Sequence, residues 1–402
     1  MSVLAQCGYG RADKIEQGLT AGVIDGVIMS PRDENKDRLE AAILQWGKDY
    51  PNANLLFDPQ FYATTLSAPK DGHLSEYDYY NNNCGLGRMH FSSSRIRRYV
   101  QECLEYQFNT FGDNLSYLIS PSILFDDFRD YWSQVAINLS VESADFHSGL
   151  TNPPPLLISI IVSETALHSL DALEEFLDAL TELEVNGFYL IIRRNANTLQ
   201  HAMEAASFAR FMYMCYVLAE INQYTLIIGY SDWHSFLLES VGANYTACGW
   251  HQNLRQFSLA RYLPPTGGRR PRKRYSSAPL LSSPLINPEL QDIYMAGLLS
   301  TVLTGGENDA ILSSGPSAGE GKWSDLIATI THWKCLSSLA KQITTGSTAT
   351  DRLKRSLGLI QAAQNLYTRL AHSGINFDPS TGPHQLFEWR AAVQEFKSIA
   401  RV

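Results

Sequence analysis

The chain has no stretch of eighteen or more apolar residues, so nothing in it reads as a membrane-spanning helix. Its first ten residues lack a basic leader and a small-residue cleavage site. They are expected to form a first strand, and the expected compartment is the cytoplasm. The six cysteines, Cys7, Cys84, Cys103, Cys215, Cys248 and Cys335, include no C-x-x-C pair and no tight Cys/His grouping, so spacing predicts no structural zinc site. Cys7 and Cys248 are expected to be buried free thiols on neighbouring strands. No Walker loop, G-x-G-x-x-G or H-E-x-x-H occurs, which removes the motifs of nucleotide-triphosphate, dinucleotide and zinc-protease chemistry. No cofactor and no metal are expected. A net charge of -9 argues against a protein that coats nucleic acid with its whole surface, although it leaves room for a local basic site.

What is present is a repeat. Eight short apolar runs, Leu4 to Cys7, Asp25 to Met29, Asn54 to Phe57, Ser116 to Ile119, Leu156 to Val162, Gly187 to Ile192, Tyr224 to Ile228 and Tyr245 to Gly249, each stop at polar side chains and lead into helical spacing. Continuous apolar runs without alternation fit strands buried on both faces, and intervening helices fit parallel crossovers. The count favours a (β/α)8 TIM-like barrel over an open doubly wound sheet, and 402 residues suffice for a barrel of roughly 250 residues plus a second unit. The expected division is a barrel over 1–263, a basic Pro/Gly/Ser-rich linker or arm over 264–287 and a small α-helical domain over 288–402. No catalytic group is expected from the helical part. An insertion at about 63–93 holds the run Tyr77-Asp78-Tyr79-Tyr80-Asn81-Asn82-Asn83 and is expected to act as a lid.

In such barrels the loops after the strands converge on one mouth, so the candidate site is read one to three residues past each run. Asp58, Glu164 and Asp232 come from different strands and are candidate acid/base groups, with helix capping as the other reading for Glu164 and Asp232. Arg32, Arg193, Trp250 and His251 are candidate substrate-binding groups. A guanidinium at Arg193 or Arg194 can clamp a carboxylate or phosphate, or else pair with Glu164, while Trp250 offers a stacking wall. The dense run Arg269, Arg270, Arg272, Lys273 and Arg274 is a candidate polyanion-binding arm, with Tyr275 to stack on bases and Arg95, Arg97 and Arg98 to extend it. The plainer reading is a solvated linker.

Two stretches resemble the tRNA-guanine transglycosylase superfamily. They are Leu226-Ile227-Ile228-Gly229 with Leu237-Leu238-Glu239, Gly242-Ala243-Asn244-Tyr245-Thr246-Ala247-Cys248 and Arg255, and Leu56-Phe57-Asp58-Pro59-Gln60-Phe61. The resemblance implies a β/α barrel, a nucleobase-containing substrate, exchange at an N-glycosidic bond, and Asp58 as the acid/base and base-recognising aspartate. Two departures bear on that activity: Ala247 stands where the family has its nucleophilic aspartate, and the family's zinc cysteines are missing.

Three functions follow as expectations. The first is an enzyme acting on, or a protein binding, a nucleobase-containing substrate (nucleoside, nucleotide or nucleic acid) at the barrel mouth. The second is a catalytically degenerate barrel that binds nucleic acid or a protein partner, the latter through its helical domain. The third is a barrel hydrolase or isomerase for a small molecule.

Overall fold

The computed structural model describes residues 3–67, 69–81, 83–195, 202–263 and 272–402. Nine parallel strands make one curved sheet: β1 (Val3–Gln6), β2 (Gly26–Met29), β3 (Asn54–Phe57), β4 (Leu118–Ile119), β5 (Leu124–Phe125), β6 (Leu156–Ser163), β7 (Gly187–Arg193), β8 (Thr225–Ile228) and β9 (Tyr245–Cys248). Their order is β3-β2-β1-β9-β8-β7-β6-β4, with β5 also on β6. The first strand thus pairs with the last, and the sheet is a nearly closed barrel of eight positions. The fourth run is split because Pro121 has no N–H to give to a ladder. Leu118–Ile119 pairs with the start of β6 and Leu124–Phe125 with its end. Across the remaining gap Ser116 joins β3 directly: its N–H donates to the Leu55 carbonyl (3.0 Å), and its hydroxyl accepts from the Leu55 N–H (3.2 Å).

Residues paired in a parallel register share a face, which fixes what points where. Phe57 packs on Tyr106 and Phe111 of an outer helix, so its neighbour Asp58 turns toward the barrel axis. The pairings Leu56 with Ile28, Ile28 with Gln6 and Leu4 with Ala247 carry the same inward face around the wall. Cys248, one residue on from Ala247, faces the helices.

Those helices are α1 (Lys14–Thr20), α2 (Lys36–Asp49), α3 (Ser93–Phe111), α4 (Tyr131–Ser148), α5 (Leu170–Thr181), α6 (Ala205–Tyr216) and α7 (Ser235–Ser240). Side-chain caps at Asn35, Asp130 and Ser169 open α2, α4 and α5. Helical spacing in the sequence begins at Leu199, but residues 196–201 lie outside the described residues. The C-terminal part supplies α8 (Asp325–Thr344), α9 (Ala349–His372) and α10 (His384–Ala400). Residues 288–303, whose apolar spacing fits a single helix, form instead a set of short helical turns, interrupted where Gly297 takes a left-handed φ of +72°. Helix α8 packs on α1, α7 and β1, α9 on α7, and α10 on α6, so one apolar core runs from the barrel into the C-terminal helices.

The run around Tyr77 is not a lid. Tyr77 and Tyr79 pack on Phe57 and Tyr106 behind β3 and, like Tyr80, are buried, because large rings are needed to fill the space between β3 and α3.

Two strand starts tolerate only glycine. A Cβ on Gly26 would lie 2.0 Å from the Asn54 carbonyl oxygen, and one on Gly187 would lie 1.9 Å from that of Thr225. Gly187→Ala is therefore expected to cost about 1–3 kcal/mol by overpacking, read as a lower urea midpoint; a midpoint equal to wild type would contradict this close approach.

Candidate active site at the barrel mouth

Asp58 follows β3 on the axial face and is 1% exposed. Its Oδ1 accepts the Gln60 N–H at 3.0 Å, an arrangement made possible because Gln60 adopts a left-handed φ of +54° that folds the chain back. Its Oδ2 accepts the Tyr62 hydroxyl at 3.2 Å, and Tyr62 in turn meets the Tyr262 hydroxyl at 3.0 Å. Tyr189 of β7 donates to Gln6 Oε1 at 3.5 Å and stands near the same carboxyl from across the barrel. It has room to do so because Gly229 lacks a side chain, whose Cβ would stand 2.7 Å from the Tyr189 hydroxyl. Burial pushes the Asp58 carboxyl up to about 7, against the opposing pull of the Gln60 and Tyr62 hydrogen bonds and the Arg261 cation. Such a group both gives and takes a proton near neutral pH.

Beside it runs a charged ring. Asp33 accepts from Arg261, from Arg32 at 2.6 Å and from the Ser30 hydroxyl at 2.7 Å. Gln60 donates to Ser30 at 2.8 Å and accepts the Arg32 N–H at 3.2 Å. Arg32 lies over the Tyr262 ring at 5.3 Å, and Arg261 donates to the Tyr230 hydroxyl at 3.1 Å. On the β1 side a cleft of about 860 Å³ opens among Tyr9, Arg11, Asp33, Glu34 and Trp46. Within the barrel Gln6 is fully buried, and its Nε2 has no acceptor among the described residues.

The other expected site residues divide. Arg193 faces the axis and bonds Ser163 (2.8 Å) and Asp126 (2.6 Å), with its side chain 30% exposed at the rim. The partner of Glu164 is Arg194, at 3.3 Å, and Glu164 also accepts the Asn195 N–H at 2.9 Å, so its carboxylate holds the loop after β7. Asp232 does not converge with Asp58. It turns to the helical side of the wall, where its Oδ1 lies 3.0 Å from His332 Nε2. Trp250 is buried with its indole N–H on the Tyr9 carbonyl (2.9 Å), so it is a packed wall beside the mouth and not an open stacking face. His251 lies next to it on the exposed rim.

The basic arm is only partly described, since Arg269 and Arg270 lie outside the described residues. Arg272 is exposed and pairs with Asp378 at 3.3 Å, while Lys273 bonds the Glu320 carbonyl and Arg274 the Ser283 carbonyl and the Ser380 hydroxyl. Tyr275 cannot stack on a base. It is fully buried against Trp323 and donates to Asp309 at 2.8 Å.

Tyr62, Tyr189, Arg261, Tyr262 and Gln6 complete the mouth without having been expected from sequence. The signal for Tyr189 and Gln6 was present, since each is a polar group within an otherwise apolar strand. The chain matches no family model and no curated protein.

Proposed function

We propose that the barrel mouth binds and acts on a nucleobase-containing substrate, with Asp58 as the group that transfers the proton. The observation that carries this reading is the buried Asp58 carboxyl, poised near pH 7 on the axis and backed by Tyr62 and Tyr189. The edge of a nucleobase presents donors and acceptors side by side, and a carboxyl that can hold or release a proton matches either. The unsatisfied Gln6 amide supplies one further donor. The resemblance of the Asp58 and Tyr245–Cys248 segments to the transglycosylase superfamily supports the same substrate class and a (β/α)8 barrel. With Ala247 at the nucleophile's position, the chemistry that fits is direct acid/base assistance to cleavage of an N-glycosidic bond, without a covalent aspartyl intermediate.

The test is base release from a panel of nucleosides, nucleotides and short oligonucleotides, followed by chromatography, for wild type and Asp58→Asn. Release by wild type that is lost in the variant supports the reading. No binding and no release across the panel, or full activity in the variant, overturns it. Arg193, half-open at the rim, is assigned to an anionic part of the substrate. Arg193→Ala is expected to weaken binding of a nucleotide about tenfold while leaving the matching nucleoside unchanged, as read by calorimetry. Equal loss for both would remove the anion role.

A second reading, a barrel without turnover that serves as a subunit, is favoured by one feature. Arg261 and Asp33 satisfy each other over the mouth, as do the hydroxyls of Tyr62 and Tyr262. Stoichiometric co-purification of a partner from native extract, together with an inactive panel, would select it.

A further inference from the structure

The end of β9 serves both sides of the barrel wall. Ala247 faces the mouth, while Cys248 faces the helical layer, where α8 sets His332 against it. His332 Nε2 lies 3.0 Å from Asp232 Oδ1 and 3.3 Å from Cys248 Sγ, and the three polar atoms are all within 4.8 Å of one another. All three residues are buried, His332 completely. The other ring nitrogen, Nδ1, is held by the Ser276 hydroxyl at 2.9 Å, which turns Nε2 toward the thiol and the carboxylate. The Trp233 ring stands edge-on to the imidazole at 5.2 Å, and the Trp333 indole donates to the Cys248 carbonyl at 2.8 Å, so the surroundings are rigid and apolar.

We propose that Asp232, Cys248 and His332 bind one divalent cation of the zinc class. With metal–nitrogen and metal–oxygen bonds of about 2.0–2.1 Å and a metal–sulfur bond of about 2.3 Å, tetrahedral geometry separates N from O by about 3.3 Å and N from S by about 3.6 Å. The distances between these side chains are within about 0.3 Å of both values, a shift that small side-chain movements supply. Thiolate and imidazole together select a borderline-soft ion over magnesium or calcium, which take oxygen ligands. Charge points the same way. A thiolate and a carboxylate neutralise a divalent ion, so the buried centre carries no net charge. On binding, the Cys248 S–H bond gives way to a sulfur–metal bond, and the proton leaves to solvent. Ser276 orients the imidazole from behind, as hydrogen-bond partners of metal-bound histidines do. A bound ion would tie α8 to the strand ends across the 84 residues that separate Cys248 from His332.

The experiment uses the full chain, stripped with chelator and titrated with zinc or cobalt(II). Wild type is expected to retain close to one equivalent of zinc after gel filtration. Cobalt should give a thiolate-to-metal charge-transfer band with tetrahedral d–d absorption, and a hundredfold excess of zinc over Kd should raise Tm by about 3 °C. Cys248→Ser and His332→Gln, checked for folding by circular dichroism, should lose the charge-transfer band. If these variants fail to fold, zinc uptake and the cobalt spectrum of the wild type decide the question. Wild-type protein that takes up no zinc and gives no thiolate–cobalt band would overturn the site, as would a folded Cys248→Ser variant that keeps the band. Neither result depends on nucleobase chemistry at the mouth.

Discussion

Asp58→Asn is expected to give a folded protein that is more stable than wild type above pH 7 and at least about 100-fold slower in base release. The stability half follows from linkage. Well below pH 3.8 the carboxyl is protonated in folded and unfolded chains alike and contributes nothing. Its ordinary value is 3.8 and its buried value about 7, so between these the unfolded chain ionises while the folded chain keeps its proton. Folded stability therefore falls as pH rises through this window, and above it the cost is complete, about 4 kcal/mol. Asparagine keeps the shape, accepts from the Gln60 N–H with its carbonyl oxygen, and cannot ionise. For a chain of 402 residues the difference corresponds to a Tm higher by about 5 °C at pH 8, shrinking to zero only well below pH 3.8. Paired melting curves of the two proteins across pH check it. A gap that does not change with pH would mean that Asp58 ionises as freely as an exposed aspartate.

Trp333→Ala should be comparably severe, at about 3–5 kcal/mol. The ring is fully buried between α8 and α1, where a Cβ on Gly18 would come within 2.9 Å of it. Its indole N–H also donates to the Cys248 carbonyl, a hydrogen bond that the truncation removes. Because the apolar core is continuous from the barrel into α8, the urea midpoint should drop while the curve remains a single transition. A separate early transition, with the barrel's midpoint unchanged, would instead make the C-terminal helices an independently folding unit.

The wall of the barrel was legible because parallel strands buried on both faces leave uninterrupted apolar runs. All eight positions emerged near their observed places, and the fourth was misjudged only because Pro121 hides its second half. Asp58 was legible for a related reason, as an acid directly after such a run with no helix to cap. The rest of the site depended on distance relations that sequence does not carry. Arg261 and Tyr262 reach the mouth from beyond the last strand. Asp232 was placed on the wrong side because nothing in its spacing tells whether the chain beyond β8 turns it toward the axis or toward the helices. His332 was invisible beside Cys248, since spacing rules see neighbouring ligands and these two meet only when α8 docks. Tyr77 and Tyr275 looked like contact residues through their polar, basic and aromatic surroundings, but a large ring is as often the filling of a core.

Because β3 pairs with β2 along one edge and meets the fourth strand position through Ser116 on the other, the strand that delivers Asp58 borders the seam of the barrel. A carboxyl sealed on the axis has to trade protons with water to do acid/base work. A wall held there by one serine parts at lower free energy than the fold as a whole. The seam is thus the expected place of local opening beside this strand, read as faster amide exchange at Leu55 and Ser116 than in the fully paired strands.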